Sequence, residues 1–285
     1  MRHLVLVDDL TDREADAILR RAAELLDGAP AATPTRRVLA TAFFEESLRT
    51  RVGFATAAAR LGWAAVPVDA RREGALSSAE SWVDTLRTLA GLVDVVVARP
   101  ALPMNRATVS EITRAAVING GDRGPLAEHP SQALIDLFAI ERLCGPAQAL
   151  RVALCGDLRM RAARSLRKLL ARRGARLLAV TDDELAAADA ADLERREPWQ
   201  LDDVDVLYVV GIPHGALPLD RRDRLLVGID AMRSLHPEAV VLSPMPVIDE
   251  ITAAARRDDR VRFFEANDWS VPVRMAVLEA VTAST

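Results

Sequence analysis

Apolar residues in the first half of the chain fall into short continuous runs, separated by stretches with helical spacing. The predicted strands here are 38–44, 64–68 and 93–98, and the predicted helices are 11–26, 52–61 and 81–91. Each strand run is continuous rather than alternating, which is typical of a parallel sheet covered on both faces. The chain up to about residue 119 therefore predicts one α/β domain.

A long helical pattern over 129–143 ends at Gly145-Pro146 and is predicted to cross between domains. After it the predicted strands are 151–155, 176–180, 204–210 and 239–242, and the predicted helices are 161–173 and 271–281. The fold class is therefore α/β, with two doubly wound domains, each a mainly parallel sheet flanked by helices, joined by crossing helices. The predicted boundaries are 1–130 and 131–270, with a C-terminal helix over 271–285 that packs back on the N-terminal domain.

Composition narrows the class of protein. The 285 residues carry a formal net charge of -4, which disfavours nucleic acid as a partner. The two cysteines are too few for a disulfide framework and show no metal spacing, which favours a reducing cytoplasm. No signal peptide is visible and every apolar run is shorter than a membrane span, so no membrane partner is expected.

The segment 43–51, Phe-Phe-Glu-Glu-Ser-Leu-Arg-Thr-Arg, joins a predicted strand to a predicted helix. It places the hydroxyls of Ser47 and Thr50 and the guanidinium groups of Arg49 and Arg51 within five residues. Backbone N–H groups and the dipole at a helix start favour an anion, and arginine matches phosphate oxygens with two parallel donors. The segment predicts a phosphate site; an ordinary helix start capped by Ser47 is the alternative.

Other predicted strand ends also carry polar residues. Arg99 directly follows the strand over 93–98, and His129 opens the crossing helix with Gln132 one turn along the same face. Gly156 begins a turn after the strand over 151–155, but a complete GxGxxG pattern is absent, which disfavours a nicotinamide enzyme. Ligands bind beyond the carboxyl ends of strands in such folds, so these residues are candidates for a site.

Taken together and in order, these segments resemble the aspartate/ornithine carbamoyltransferase family, its aspartate branch more closely. The segments that carry the resemblance cover nearly the whole chain: 43–62, 80–91, 117–140, 155–175, 243–251 and 271–281. It implies transfer of the carbamoyl group of carbamoyl phosphate to an amine or amino acid, without a metal or organic cofactor. It also implies a homotrimer with active sites between subunits, and assigns carbamoyl phosphate to the first domain and the acceptor to the second.

The resemblance also implies roles for individual residues. The carbamoyl-phosphate set is Ser47, Leu48 (through its backbone N–H), Arg49, Thr50, Arg99, His129, Gln132, Met245 and Pro246. Thr50, Arg99 and His129 are its catalytic members, donors suited to the negative charge that builds on the carbonyl oxygen. Met245 and Pro246 match the loop that orients the carbamoyl NH2 group.

The acceptor-binding positions are Arg161, Gly211 and Ser78. Arg161 matches a guanidinium that grips the α-carboxylate, although aligning it requires a one-residue deletion. Ser78 stands where the family has a lysine supplied to the neighbouring subunit, and Gly211 and Pro213 stand where it has Arg-x-Gln for aspartate's side-chain carboxylate. Each lost charged contact costs about 2–5 kcal/mol, so ordinary aspartate turnover is expected to fail.

Three interpretations follow. The first is a carbamoyltransferase acting on a small amine or amino acid other than aspartate. The second is a genuine aspartate carbamoyltransferase of pyrimidine biosynthesis whose missing cations are replaced, for instance by Arg71, Arg72 or a partner subunit. The third is an inactive homologue that serves as a binding or regulatory subunit. Assembly beyond a trimer is left open.

Overall fold

A computed structural model describes residues 1–32, 36–69, 81–112, 114–191 and 193–283. The chain forms two compact units, one made of Met1–Ile135 and Trp269–Thr285 and the other of Asp136–Asp268. Helix α5, defined below, begins in the first unit and ends in the second. Each unit is described by itself.

In chain order, the elements up to the crossing helix are α1 (Asp12–Leu26), β1 (Val38–Phe43), α2 (Leu48–Arg60), β2 (Ala64–Asp69), α3 (Trp82–Leu92), β3 (Val95–Arg99), α4 (Arg106–Ser110), β4 (Ala116–Asn119) and α5 (Pro130–Cys144). Helix α1 starts at a reciprocal cap: the Thr11 hydroxyl accepts from the Glu14 N–H at 3.2 Å, and the Glu14 carboxylate accepts from the Thr11 N–H at 2.9 Å. This pairing satisfies orphan amide groups and fixes where the helix begins.

The first unit is built on a parallel sheet with strand order β2-β1-β3-β4. Strands β1 and β3 are almost wholly buried and apolar, as expected for central strands with helices on both faces. The chain passes from β1 to β2 on one side and then to β3 on the other, so the strand order reverses between β1 and β3. Their carboxyl ends meet at the pair Phe43 and Arg99, and a crevice opens at such a point in this class of fold.

The remaining elements are β5 (Arg151–Gly156), α6 (Arg161–Arg172), β6 (Arg176–Val180), β7 (Glu194–Arg195), β8 (Val206–Val210), α7 (Leu219–Asp223), α8 (Ile229–Ser234), β9 (Val240–Leu242), α9 (Phe263–Asp268) and α10 (Ser270–Thr282). Helix α10 belongs to the first unit and packs on α1 and α2. Its buried residues include Val273, Val277 and Leu278, so it is apolar on more than one face.

The second unit holds a parallel sheet with order β7-β6-β5-β8-β9. The order reverses between β5 and β8, whose ends pair at Gly156 and Val210. A Cβ on Gly156 would lie 2.1 Å from the Val210 carbonyl oxygen, and its φ is +107°, so the close approach of the two strands requires glycine.

The α/β class with two parallel sheets is confirmed. Several elements differ from the sequence expectation, among them the short helices α4, α7, α8 and α9, which were not predicted. Helix α2 begins at Leu48 rather than at residue 52, which brings Arg49 and Thr50 inside its first turn. The short edge strand β7 consists of Glu194 and Arg195 and lacks the apolar residues on which strand prediction depends. Within the described ranges, no helix combines the length and apolarity needed to cross a bilayer.

Candidate functional site

The start of helix α2 presents backbone amide donors that have no acceptor within the helix. Ser47 precedes the helix, yet its side chain makes no capping hydrogen bond. The amide groups of the first turn have no partner within the helix itself, and that turn contains no acidic residue. Leu48 is 70% exposed, so its backbone rather than its side chain is suited to a buried anion. Donors and dipole together favour an anion here.

Arg49 adds a positive charge to the same turn. Its guanidinium is half-buried, and burial lowers the pKa of Arg49 from its ordinary value. Arginine nevertheless stays protonated in proteins. Among the described residues no carboxylate pairs with it. A half-buried cation at a helix start, with no carboxylate partner among the described residues, suits a phosphate group.

Thr50, Arg99 and His129 converge beside this turn. Nη2 of Arg99 lies 3.3 Å from Nε2 of His129 and 3.5 Å from Oγ1 of Thr50, and Oγ1 of Thr50 lies 3.4 Å from Nε2 of His129. All three side chains are buried, with exposures of 3%, 7% and 5%. The sequence placed them on three different elements, and the fold brings them into one cluster at the carboxyl ends of β1 and β3.

Backbone carbonyl groups hold Arg99 in place. Its Nε donates to the carbonyl of Gly120 at 2.8 Å, and its Nη1 donates to that of Glu46 at 3.2 Å. The guanidinium carbon also lies 5.9 Å from the ring centroid of Phe43. These contacts leave Nη2 directed towards Thr50 and His129, so the group is positioned before any substrate arrives.

Two buried carboxylates shape the loop that leads to His129. Asp122 accepts from the N–H of Met104 and from that of Glu128, at 2.8 and 2.7 Å. Glu128 in turn accepts from the N–H of Val7 at 2.7 Å. Helix α5 then begins, and the His129 carbonyl accepts from the N–H of Gln132 at 3.0 Å. The side chain of Gln132 is partly exposed at the start of α5.

In the second unit, Arg161 is the first residue of α6 and is partly buried. It follows the turn that begins at Gly156, at the carboxyl end of β5. Gly211 follows β8, whose end pairs with the end of β5. Of the three predicted acceptor residues, Arg161 and Gly211 therefore lie at the point where the strand order of this sheet reverses.

Gly211 faces an acidic side chain. A Cβ at position 211 would lie 2.8 Å from Oε1 of Glu250, which is 6% exposed. The other carboxylate oxygen of Glu250 accepts from the N–H groups of Ile248 and Asp249, at 2.7 and 3.2 Å. A carboxylate therefore occupies the position towards which a side chain at 211 would point.

The turn after β9 has an unusual backbone at Met245 and Pro246. Met245 adopts the left-handed region with φ of 55°, and a cis peptide bond joins it to Pro246. Its N–H donates to the Ser243 hydroxyl at 3.1 Å. A methionine with positive φ is uncommon, and such residues concentrate at ligand sites.

Three residues named in the sequence analysis, Ser78, Arg71 and Arg72, lie outside the described residues. In the described part of the chain, no group of three or more histidine, cysteine or acidic side chains could hold a metal ion. Sequence reasoning did not select Ser131, Asp122 or Glu128 as members of the site. The position of Ser131 between His129 and Gln132 could have indicated a role in the site. A lone serine at a helix start is, however, usually interpreted as a helix cap.

The comparisons of this chain with known proteins agree with one another. The family described as aspartate/ornithine carbamoyltransferase, carbamoyl-P binding domain, matches residues 2–142. The aspartate carbamoyltransferase catalytic subunit of Archaeoglobus fulgidus is 32% identical over 298 residues, covering 99% of each chain. That of Methanoculleus marisnigri is 33% identical over 300 residues, also covering 99% of each. Among solved structures, the catalytic subunit of M. jannaschii aspartate transcarbamoylase has a TM-score of 0.86 and 28% identity, covering 100% of this chain and 99% of that one.

Proposed function

This chain belongs to the aspartate/ornithine carbamoyltransferase family and is a carbamoyl-phosphate-dependent transferase, and we propose that its acceptor is aspartate. The relatives described above carry the name aspartate carbamoyltransferase catalytic subunit, which supports this acceptor. The proposed products are N-carbamoyl aspartate and inorganic phosphate, in a cytoplasmic step of pyrimidine biosynthesis. The acceptor first favoured by the sequence, an amine other than aspartate, becomes the second candidate.

The observation that carries the proposal is the cluster of Thr50, Arg99 and His129 beside the start of α2. In the proposed reaction the neutral amine of the acceptor attacks the carbamoyl carbon, and negative charge builds on the carbonyl oxygen. Arg99 and Thr50 offer donors for this charge, and Arg49 with the first-turn amides stabilises the departing phosphate. The site works by orientation and charge stabilisation, so it needs no protein nucleophile.

The described residues proposed to bind the acceptor belong to the second unit. Arg161 is assigned to the α-carboxylate of the acceptor, and the carbonyl groups at Met245 and Pro246 to the carbamoyl NH2. The second candidate, a different small amine, is favoured by one observation: Gly211 supplies no cation, and the Glu250 carboxylate lies where its side chain would be. The negative charge of Glu250 would repel the side-chain carboxylate of aspartate at this position, which disfavours aspartate as the acceptor.

Phosphate release from carbamoyl phosphate, measured against a panel of amines, separates these readings. The panel should contain aspartate, asparagine, ornithine, β-alanine and putrescine. Saturable turnover with aspartate supports the proposal, and turnover only with another amine supports the second candidate. If calorimetry detects no binding of carbamoyl phosphate, the chain is the inactive homologue and the transferase proposal fails.

The phosphate site has a matched pair of variants on one helix. Arg49→Gln should weaken carbamoyl-phosphate binding by about tenfold or more, because it removes a charge-assisted contact worth about 1.5–3 kcal/mol. Arg51→Gln is the control, since Arg51 lies on the same helix but is exposed. Calorimetric titration of both variants tests the assignment. Equal affinity for Arg49→Gln and the unaltered protein would overturn it.

We extend the proposal to a homotrimer. Strand β2 is an edge strand, and Ala64, Ala65, Val66 and Pro67 along it are all exposed. An uncovered apolar edge strand is an association surface that proteins ordinarily bury. Sedimentation equilibrium should give three times the 30.9 kDa chain mass, and a monomer would contradict this part of the proposal.

A further inference from the structure

Ser131 contacts the nitrogen of His129 that faces away from Arg99. Its hydroxyl oxygen lies 3.3 Å from Nδ1 of His129, and Ser131 itself is 1% exposed in the first turn of α5. The opposite nitrogen, Nε2, lies 3.3 Å from Nη2 of Arg99 and 3.4 Å from the Thr50 hydroxyl. Nδ1 of this buried histidine therefore has a hydroxyl beside it, and Nε2 has a guanidinium and a second hydroxyl.

The partners determine where the proton of a neutral His129 ring resides in the empty site. A guanidinium has only donors, so Nη2 of Arg99 can bond to Nε2 only if that nitrogen carries a lone pair. The ring proton is then on Nδ1, which donates to the Ser131 hydroxyl oxygen. This is the tautomer that the Arg99 contact requires.

The proposed reaction requires the other tautomer. Negative charge develops on the carbonyl oxygen, and Nε2 of His129 can stabilise it only as an N–H donor. Nδ1 must then carry the lone pair and accept a hydrogen bond from its own partner. A carboxylate or a backbone carbonyl at that place could only accept, whereas a hydroxyl can accept or donate.

We propose that Ser131 is a positioning residue whose hydroxyl pairs with Nδ1 of His129 in both tautomers. Nε2 then accepts from Arg99 in the empty site and donates to the carbonyl oxygen when carbamoyl phosphate is bound. The ring loses one proton at Nδ1 and gains one at Nε2 by exchange with water, so it stays neutral. The proposal rests on the transferase function proposed above.

Kinetics of two substitutions at this position test the role. Ser131→Ala removes a hydroxyl partner of Nδ1 and should lower kcat about tenfold, because the hydrogen bond from Nε2 to the carbonyl oxygen strengthens as negative charge builds on that oxygen. The KM for carbamoyl phosphate should change less than about twofold. Ser131→Thr keeps the hydroxyl and should retain kcat within about threefold. Unchanged kcat in Ser131→Ala would overturn the proposal.

A control separates positioning from packing. Thr282→Val also removes a buried hydroxyl in the first unit, one that donates to the Leu278 carbonyl at 2.8 Å. Both variants should lower the unfolding temperature by a similar amount, but only Ser131→Ala should lower kcat. Equal losses of kcat in the two variants would mean that Ser131 acts through general stability, and would reject the positioning role.

Nitrogen NMR of histidine reports the tautomer without any turnover. With ¹⁵N-labelled protein, and with the His129 signals assigned by their loss in His129→Ala, the free protein should show protonated Nδ1. Saturation with phosphonoacetamide, a stable isostere of carbamoyl phosphate, should shift the proton to Nε2, and Ser131→Ala should abolish this shift. Binding of phosphonoacetamide without a tautomer change overturns this inference alone. No binding at all overturns the proposed function with it.

Discussion

The guanidinium of Arg274 lies directly against Gly53, so that a Cβ at position 53 would be 2.5 Å from Nη1 and 2.7 Å from Cζ of Arg274. Arg274 comes from α10, is 3% exposed, and its Cζ lies 5.5 Å from the ring centroid of Phe54. Gly53 is one turn after Thr50 on α2. The absence of a side chain at 53 therefore lets α10 pack closely on α2, the helix that begins at the proposed phosphate site.

Gly53→Ala should destabilise the protein by about 1–3 kcal/mol, because the new methyl group overpacks a buried arginine. Helix propensity alone would favour alanine by about 1 kcal/mol, so the clash decides the sign. Denaturant unfolding measures the effect.

Gly91→Ala is the matched control on α3. Gly91 is exposed, and a Cβ there would meet no heavy atom within 4 Å. This variant should be stabilised by about 0.5–1 kcal/mol. If Gly53→Ala and Gly91→Ala change the free energy of unfolding in the same direction, the Arg274 contact does not constrain position 53.

Arg222 is a cation that supports the loop after β8. Its Nη2 donates to the Ile212 carbonyl at 3.3 Å, and its two terminal nitrogens bond to Asp249 at 2.6 and 2.8 Å. Arg222→Met should raise the KM for the acceptor about tenfold, because a loop at the proposed acceptor site loses a charged tie worth about 1.5–3 kcal/mol. The KM for carbamoyl phosphate should change less than about twofold.

The adjacent residue, Arg221, provides a control for the KM measurements on Arg222→Met. Arg221 also lies on α7 and forms ion pairs, but with Asp182 and Glu184 rather than with the acceptor loop. Arg221→Met should leave both KM values unchanged. Parallel changes in the two variants would assign the effect to α7 as a whole.

The pair of Asp258 and Arg260 makes stability depend on pH. Hydrogen bonds from Arg260 lower the pKa of the Asp258 carboxyl below its ordinary value of 3.8. Arg260 also donates to the carbonyl of Met232 at 2.7 Å and to that of His236 at 3.2 Å. Because the folded pKa is the lower one, this stabilisation is fully present above pH 3.8 and is lost as the pH falls through the folded value.

Asp258→Asn should therefore be less stable than the unaltered protein at neutral pH, and the difference should shrink below pH 3.8. Asp259→Asn is the control, since Asp259 is the exposed adjacent residue. Urea unfolding between pH 3 and pH 7 measures both. If the stability difference between Asp258→Asn and the unaltered protein does not change with pH, the ion pair of Asp258 and Arg260 does not cause the pH dependence.

The central strands were predictable from sequence because local patterns determine them, and the proposed phosphate site was inferred from the same kind of local pattern. β1 and β3 are continuous apolar runs, and the donor-rich segment at Ser47 to Arg51 adjoins one of them. Parallel pairing then places Arg99 at the same edge of the sheet without further information.

The contacts that order the site were not readable. Asp122 and Glu128 look like solvated loop residues, yet both are buried because they accept hydrogen bonds from amide groups distant in sequence. Arg274 likewise interrupts an apolar helix for a reason that lies on α2. Such pairings depend on the folded arrangement, which no local periodicity encodes.

The proximity of Gly211 and Glu250 limits which side chains position 211 can hold. An arginine at 211 would meet a buried carboxylate already held by two amide groups, so substitutions at the two positions are coupled. Substitutions at both should be strongly non-additive. A cation placed at 211 would therefore be held by this buried carboxylate rather than left available to a substrate.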